Sequence, residues 1–371
     1  MVPQDGTPTV RLDFINHILV EERTGAQPHP EDSIFDGAAP AKQALQALQY
    51  VIKNPQSVTI KFDGFPALIF GRMPDGRFAV MDKYMFDSKF FADSPAKWQE
   101  YDSKKASGKT RPDLYAKLAN IWSGLEEAVG SSTGFFWGDL LWWQQLKPIG
   151  GAYVFKPNVV EYRVPAKSQL GQEIGRSVGG LVVHQYFTDD GARPAQWNGK
   201  GLTRNGSVVI LTPSAGIQFK LNDPVQLTKA ATTAVNQYSN LAEKFLTGLP
   251  GVVKQALQKY CNKKITGQTN EEIVPWLEKN VSGKQYKFLV GENYGGYLYR
   301  EEKGLNALFA IWNAIYALKI NLADQLEGQV QGIQQFVNGK QQGEGFVFNT
   351  PQGLVKLVNR GTFSAALFAK E

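Results

Sequence analysis

The sequence predicts an α+β protein whose antiparallel sheets are interrupted by helices. Three observations lead to this class: short apolar strands joined by a hairpin turn near residues 57–90, a largely helical block near 224–340, and two closing strands after it. The chain has 371 residues, of which 43% are hydrophobic and 12% aromatic, so it can bury a sizeable core. We expect one domain formed by residues 1–223 and 341–371, with residues 224–340 as a helical insertion or subdomain.

The first elements combine helices with a turn-rich loop. Residues 11–22 form a short apolar segment, and the loop around His29-Pro30-Glu31-Asp32 follows it. Residues 38–53 carry apolar side chains at helical spacing, which predicts a helix.

Strands then dominate the chain up to residue 221. Pro74-Asp75-Gly76-Arg77 predicts a tight hairpin turn between two of them. A basic polar stretch, Lys97–Arg111, leads into a helix predicted over Asp113–Val129. The predicted strands are Val58–Ile60, Ala67–Arg72, Phe78–Met81, Gly134–Trp142, Asn158–Val164, Gly180–Phe187, Val208–Leu211 and Gly216–Leu221.

The helical block contains one strongly amphipathic stretch, and a hairpin follows it. Apolar residues recur at helical spacing from Leu305 to Tyr316, which predicts a buried helix. Strands at Gly345–Asn349 and Gly353–Val358 flank the turn Thr350-Pro351-Gln352-Gly353. This last hairpin must return to the Lys61 region if the motifs described below are to meet.

Composition restricts the classes of function. The net charge of +6 suits a polyanionic partner but fits many other proteins. A single cysteine, Cys261, excludes an internal disulfide and a multi-cysteine metal site, and the three histidines lack zinc-ligand spacing. No stretch approaches the roughly 20 apolar residues of a membrane span. We therefore expect a soluble, monomeric, cytoplasmic protein with no membrane partner.

Four short segments carry the chemistry. Lys61-Phe62-Asp63-Gly64 stands directly after an apolar strand, and Phe136-Trp137-Gly138-Asp139, Glu344-Gly345-Phe346-Val347 and Val355-Lys356-Leu357 follow in that order. Together they resemble motifs I, III, IV and V of the ATP-dependent polynucleotide ligases, which are covalent nucleotidyltransferases. The layout is most similar to phage-type RNA ligases. Each segment alone also fits an ordinary strand or turn, and their shared order favours the functional interpretation.

The resemblance implies a ligase-type nucleotidyltransferase fold, with antiparallel sheets around an ATP cleft, and a set of site residues. Lys61 would attack the α-phosphate of ATP and form a lysyl-AMP, with Asp63 and Lys356 as further catalytic residues. Glu344 and Asp139 would bind Mg²⁺ or Mn²⁺. The residues implied in nucleotide binding are Lys61, Gly64, Lys83, Phe136, Asp139, His184, Tyr186, Glu344 and Lys356.

Two parts of this set stay open. Either Lys83 or Lys89 fits the basic residue of motif Ia. In the strand Leu181–Phe187, which resembles motif IIIa, alternation places His184 and Tyr186 on one face, so either could stack on adenine.

The resemblance also implies the substrate. Fifteen residues follow Lys356, too few for the OB-fold that DNA ligases and capping enzymes need. We therefore expect an RNA ligase that joins 5′-phosphate and 3′-hydroxyl ends, and the resemblance suggests a phage as its source. The alternatives are a DNA ligase lacking an OB domain and a catalytically inactive ligase-like protein that binds nucleotide or nucleic acid.

Three departures from the family pattern support the inactive alternative. Pro66 occupies the place of an arginine, and Val358 occupies that of the second basic residue of motif V, for which Arg360 is the nearest substitute. Asp139 replaces the usual glutamate and is one methylene shorter.

Two further segments have open interpretations. The loop at His29–Asp32 either lines the nucleotide site or caps a helix through Asp32 or Ser33. Four lysines of the helical block either hold a phosphate backbone or form a solvated surface; they are Lys254, Lys259, Lys263 and Lys264.

Overall fold

A computed structural model describes residues 29–104, 110–187, 195–197, 199–204, 206–213, 219–330, 332–351 and 353–361. These residues divide into two compact units. Unit 1 contains the described residues of 61–216 and 331–343, and unit 2 contains those of 27–60, 217–330 and 344–371.

The helices of the described residues fall mainly between the strands of unit 1 and in the long block of unit 2. Short 3-10 helices are present at Pro30–Asp36, Pro55–Ser57 and Glu292–Tyr294. The α-helices are α1 (Ala38–Lys53), α2 (Lys83–Asp87), α3 (Pro95–Ser103), α4 (Pro112–Val129), α5 (Gln169–Arg176), α6 (Pro224–Thr247), α7 (Gly251–Ile265), α8 (Ile273–Asn280), α9 (Gly283–Leu289), α10 (Tyr297–Arg300) and α11 (Glu302–Glu327).

The strands are mostly short, and most are paired with a neighbour by antiparallel hydrogen bonds. They are β1 (Val58–Ile60), β2 (Ala67–Arg72), β3 (Phe78–Met81), β4 (Gly134–Trp142), β5 (Ala152–Phe155), β6 (Glu161–Pro165), β7 (Gly179–Phe187), β8 (Ala195–Gln196), β9 (Val208–Leu211), β10 (Gln334–Val337), β11 (Lys340–Gln341), β12 (Phe346–Thr350) and β13 (Gly353–Leu357).

Unit 1 is built on a sheet of order β3-β2-β4-β7-β8, with β9 paired to β7. All of its pairings are antiparallel except β7 with β9. Helix α4 packs against this sheet and buries Leu118, Ile121 and Leu125 in its core, as amphipathic spacing requires. A smaller sheet of order β11-β10-β6-β5 completes the unit.

Unit 2 surrounds the long helix α11, which packs against α6, α1 and the 3-10 helix Pro30–Asp36. Its sheet has the order β1-β12-β13, so a strand from near residue 60 is joined to the closing hairpin. The hydroxyl of Thr59 donates to the carbonyl of Val347, 288 residues away, at 2.9 Å. Long-range pairing therefore holds this sheet together.

The structure confirms an α+β protein with antiparallel sheets. The predicted helix at 38–53 and the strands β1 to β4 lie where the pattern predicts them. Part of the polar stretch Lys97–Arg111 is instead helical, because α3 covers Pro95–Ser103, and β5, β8, β10 and β11 were not predicted. The segment 11–22 lies outside the described residues, as does the first half of the strand predicted at Gly216–Leu221; residues 219–221, the described half, do not form a strand.

The predicted domain bounds differ from the two compact units. Residues 224–340 were expected to form an insertion of their own. In the structure their helices pack with α1 and with the closing hairpin, while residues 332–343 belong to unit 1. The difference arises because packing partners, and not chain order, define a unit.

Helix α11 is long and apolar enough, by length and composition, to cross a membrane. Half of its most apolar stretch of 18 residues is buried inside the protein. The core helix of a soluble protein can be equally long and apolar, so this finding is weak support for a membrane-spanning helix.

Candidate functional site

The Lys61–Gly64 segment leaves β1 and enters unit 1. Phe62 is buried, and its ring stacks on Tyr162 with a centroid distance of 5.6 Å. Tyr162 in turn stacks on Phe155 at 5.3 Å. Lys61 is half-buried. The stacking of its neighbour Phe62 on Tyr162 fixes the backbone next to Lys61.

Asp63 anchors this segment to the loop before β6. One carboxylate oxygen accepts from the side-chain amide of Asn158 at 2.7 Å, and the other accepts from the backbone N–H groups of Val159 and Val160 at 2.6 and 2.8 Å. Its own N–H donates to the hydroxyl of Tyr162 at 2.6 Å. The carboxylate is buried and well satisfied, which gives Asp63 a structural role. Its catalytic role stays a prediction.

Gly64 is required by close packing against β4. A Cβ at this position would lie 2.5 Å from the Cβ of Asp139 and 3.0 Å from the carbonyl oxygen of Leu140. The backbone here follows β4 closely, since Phe65 N–H donates to Leu140 O and Leu140 N–H donates to Pro66 O. Gly64 therefore allows this segment to lie directly against Asp139 and Leu140 of β4.

Asp139 lies beside His184. Its Oδ2 atom is 3.6 Å from Nε2 of His184, and both side chains are partly exposed. The ring of His184 also lies 5.8 Å from that of Trp137. Asp139 thus has an imidazole as its neighbour.

His184 and Tyr186 do not share a face, so that prediction was wrong. Tyr186 lies 6.5 Å from Phe136, whereas His184 lies near Trp137, and consecutive residues of β4 point to opposite faces. The reason is a β-bulge, because the register of β4 with β7 shifts between Trp137 and Gly138. The extra residue lies in β7, so the side chains on its two sides no longer alternate between the two faces of the sheet as the sequence predicts.

The remaining candidates of unit 1 have different surroundings. Phe136 is 3% exposed in an aromatic core, where its ring contacts Phe70 at 6.0 Å. Lys83 is the first residue of α2, which Asp82 caps by accepting from the N–H of Met85 at 2.9 Å. The structure therefore gives Phe136 a packing role and leaves Lys83 partly exposed.

Glu344 and Lys356 belong to the closing hairpin of unit 2. Lys356 pairs with Val347 across β12 and β13, and Phe346 pairs with Ile60 of β1. Gly345 has φ 134°, and a Cβ there would lie 2.2 Å from a backbone oxygen of β13. Both Glu344 and Lys356 are half-buried.

A charged cluster is buried near the end of this hairpin. Arg360 donates to Asp32 at 2.9 and 3.1 Å and also pairs with Glu31. Lys319 pairs with Glu31, and both of these side chains are fully buried. Trp312 donates its indole N–H to Asp32 at 3.0 Å. We call Glu31, Asp32, Lys319 and Arg360 the buried charge cluster.

The contacts of this cluster bear on two residues whose roles the sequence left open, Arg360 and Asp32. The guanidinium of Arg360 is used by Asp32 and Glu31, so its role in this structure is to join the hairpin to the 3-10 helix. Asp32 is bonded to Trp312 and Arg360 and does not cap a helix. Sequence reasoning missed Lys319, although a lysine on the apolar stripe of α11 was a usable signal.

His29 borders the cluster as a neutral group. Burial, reinforced by the positive charges of Arg360 and Lys319, lowers the pKa of His29 to about 2. The charge of Lys356 lowers the pKa of His29 further. Burial also raises the pKa of Cys261 to about 12, which makes a reactive thiolate unfavourable.

The lysines of the helical block include one with a structural role. Lys264 donates to the backbone oxygen of Glu271 at 3.2 Å and lies near Glu272. Lys259 is exposed and Lys263 is half-buried on α7. Their contact with nucleic acid stays a prediction.

The described part of the chain contains no group of three or more His, Cys, Asp or Glu side chains that could hold a metal ion. The two carboxylates predicted to bind metal, Asp139 and Glu344, belong to different compact units.

Comparison with known proteins identifies a family. A family model described as a family of unknown function, DUF6267, matches residues 28–371. The chain belongs to this family. No curated protein and no solved structure matches it.

Proposed function

We propose that this member of DUF6267 is an ATP-dependent RNA ligase with a ligase-type nucleotidyltransferase fold. The observation that carries the proposal is the order of strands in unit 2. β1 ends one residue before Lys61, β12 begins two residues after Glu344, and β13 contains Lys356, and these strands are neighbours in one sheet. Segments that resemble motifs I, IV and V are therefore attached to adjacent strands, although most of the chain separates them.

Unit 1 gives independent support. The strand after motif I is β2, which pairs with β4, the strand of motif III, and β4 pairs with β7, which resembles motif IIIa. Gly64 packs directly against Asp139. These contacts within unit 1 support the proposal because they join segments that resemble motifs I, III and IIIa.

The proposed chemistry is nucleophilic attack by Lys61. Its Nζ atom forms a bond to the α-phosphorus of ATP while the bond to the bridging oxygen breaks and pyrophosphate leaves. The amine must lose its proton before attack, and the AMP then passes to a 5′-phosphate, from which a 3′-hydroxyl displaces it. Lys356 would stabilise negative charge that develops on the α-phosphate.

The proposed chemistry calls for a divalent ion of the Mg²⁺ type. Such an ion uses one or two protein carboxylates and takes its other ligands from substrate phosphates and water. Asp139 in unit 1 and Glu344 in unit 2 are each a carboxylate of the kind that such an ion prefers, and the ion would supply positive charge next to the phosphates.

The hydrogen bonding of Asp63 and Arg360 favours a second candidate function. Asp63 is occupied by three donors, and Arg360 is committed to the buried charge cluster. A ligase-like protein that binds nucleotide or nucleic acid without catalysis would also have these contacts.

Covalent labelling tests the proposal directly. The protein is incubated with α-labelled ATP or GTP and Mg²⁺ or Mn²⁺, then denatured and separated by electrophoresis. We expect label from ATP on the wild-type chain and none on Lys61→Ala, while Lys53→Ala, an exposed lysine at the end of α1, serves as the matched control.

Each outcome has a distinct meaning. Label on the wild type and on Lys53→Ala, followed by joining of 5′-phosphorylated RNA, supports the ligase. Label that persists on Lys61→Ala refutes the nucleophile. A wild-type chain that takes no label from either nucleotide but binds ATP supports the inactive alternative.

A further inference from the structure

An exposed aromatic patch lies on the helical part of unit 2, outside every motif discussed above. Three large aromatic side chains of α9, α10 and the turn between them are exposed: Phe288 by 38%, Tyr294 by 62% and Tyr299 by 40%. Tyr286 of α9 is partly exposed beside them. Exposed aromatic side chains are often isolated, so a group of four is informative.

The rings form an inner and an outer layer. Phe288 stacks on Tyr297 at 5.3 Å, and the hydroxyl of Tyr297 donates to the backbone of Phe245 at 2.9 Å. This inner pair is anchored to α6. The rings of Tyr294 and Tyr299 meet edge to face at 5.3 Å and form the outer layer.

Tyr286 is on α9, the helix that also carries Phe288. Desolvation, followed by the charges of Glu278 and Tyr294, raises the pKa of Tyr286. Desolvation, followed by Tyr294 and Tyr286, raises the pKa of Tyr299. Both phenols therefore stay neutral at physiological pH. We call Tyr286, Tyr294 and Tyr299 the tyrosine surface.

The turn that presents Tyr294 has a costly backbone. Asn293 and Tyr294 both have left-handed φ angles, 54° and 61°. Such a conformation costs a non-glycine residue free energy and occurs often at functional sites. Gly291 and Gly296 close the turn, because a Cβ on Gly291 would lie 2.5 Å from the Gly296 nitrogen. The turn thus holds a large aromatic ring outward.

Charges around the patch favour an anionic partner by a small margin. Lys287 neutralises Glu292 at 2.8 Å. Glu278 and Glu302 are exposed acids of the segment without an ion pair among the described residues. The exposed cations of the same segment, which also have no ion pair among the described residues, are Lys284, Arg300 and Lys303.

We propose that the tyrosine surface binds single-stranded nucleic acid by stacking of unpaired bases on Tyr294 and its two neighbours. Exposed aromatic faces beside cations are the combination that such binding uses, since rings stack on bases and cations contact phosphates. Lys284, Arg300 and Lys303 contact the backbone. This property goes beyond the proposed ligase chemistry, because it does not depend on Lys61.

Fluorescence anisotropy with labelled oligonucleotides tests the inference on the full chain. The probes are a short single-stranded RNA, a single-stranded DNA of the same sequence, and a blunt duplex. We expect the wild type to bind both single strands more tightly than the duplex, in which bases are already stacked. Binding is measured without ATP or a divalent ion, so a failure of the ligase proposal leaves this result unaffected, and the control Lys53→Ala should bind as well as the wild type.

Paired variants separate stacking from other causes. Tyr294→Ala with Tyr299→Ala should raise the Kd for single strands by about tenfold or more, whereas Tyr294→Phe with Tyr299→Phe keeps the rings and should keep most of the affinity. Tyr238→Ala is a control on α6. Because Tyr294 and Tyr299 are exposed, their removal should leave the thermal midpoint unchanged, which a melting curve verifies.

The charged residues give a further readout. Lys284→Glu with Lys303→Glu should weaken binding and make it less dependent on salt, because fewer counterions are released. Equal affinity for duplex, unchanged affinity in the alanine pair, or equal loss in the phenylalanine pair would each overturn the stacking proposal. Absence of nucleic-acid binding by the wild type would overturn it too and would leave a protein partner for this surface.

Discussion

Replacing Lys319 with methionine tests the energetics of the buried charge cluster. The cluster contains two acids, Glu31 and Asp32, and two bases, Lys319 and Arg360, so its formal charges balance. Lys319 and Glu31 are both fully buried. Methionine has a similar shape but no charge, so the change leaves one carboxylate in excess in the interior.

The expected loss is large for one substitution. Removal of one partner from a buried ion pair costs about 3–5 kcal/mol. Arg360 still contacts Glu31, so we expect a value near the lower limit, about 3 kcal/mol. For a unit of this size, about 2–4 °C per kcal/mol corresponds to a fall of about 6–12 °C in Tm.

Denaturant and thermal unfolding measure this loss, and a double-mutant cycle identifies its cause. Glu31→Gln added to Lys319→Met restores the charge balance, so the double variant should be more stable than the sum of the single changes predicts by about 1 kcal/mol or more. Lys303→Met, at an exposed position of the same helix, should change stability by less than about 0.5 kcal/mol. If Lys319→Met behaves like Lys303→Met, or if the cycle shows no coupling, the reasoning about a buried excess charge is refuted.

Three further predictions concern other residues. The folded-state pKa of His29 lies far below its usual 6.5, so the stability that neutral His29 contributes is full above pH 6.5 and is lost as pH falls toward 2. Between pH 7 and 5, the free energy of unfolding of the wild type should fall by about 2 kcal/mol more than that of His29→Gln. Urea titrations measure both values, and an equal pH dependence in the two proteins would contradict this prediction. Lys61→Arg should take no label from ATP although it keeps the positive charge, because a guanidinium does not lose its proton near neutral pH. Glu344→Ala and Lys356→Ala should each slow labelling on the order of 100-fold in single-turnover assays. Wild-type labelling rates in both variants would place the hairpin outside the site. Gly64→Ala should destabilise unit 1 and slow labelling, since its Cβ would lie 2.5 Å from that of Asp139, and an unchanged melting curve would show that the two segments separate readily.

Local patterns predicted much of the secondary structure. Helix α1 begins and ends where its apolar spacing begins and ends, because one side of it packs against α6 and α11 within unit 2. Helix α3 was missed because it is short and polar, and tertiary contacts support it: Trp98 is fully buried, and Arg111 binds Asp102 through two nitrogens. Such support depends on residues that are distant in sequence and leaves no local period.

The candidate site shows the same limit. Glycines and charged residues of the motifs could be selected from sequence, and for Gly64 the structure supplies the reason, a close approach to β4. The hydrogen bonds of Asp63 could not be predicted, because its donors belong to a loop near residue 159. The bulge at His184 was also hidden, since one extra residue in a strand changes its facing without changing its composition.

The sheet β1-β12-β13 has a consequence for how the chain is synthesised. β1 has only three residues, and its pairing within this sheet is with β12, which leaves the ribosome almost 300 residues later. Unit 2 therefore cannot complete its sheet until those residues have been made, and loop closure over such a distance is slow. If this hairpin carries Lys356 into a catalytic site, the nascent chain has no adenylation activity until β12 and β13 have left the ribosome.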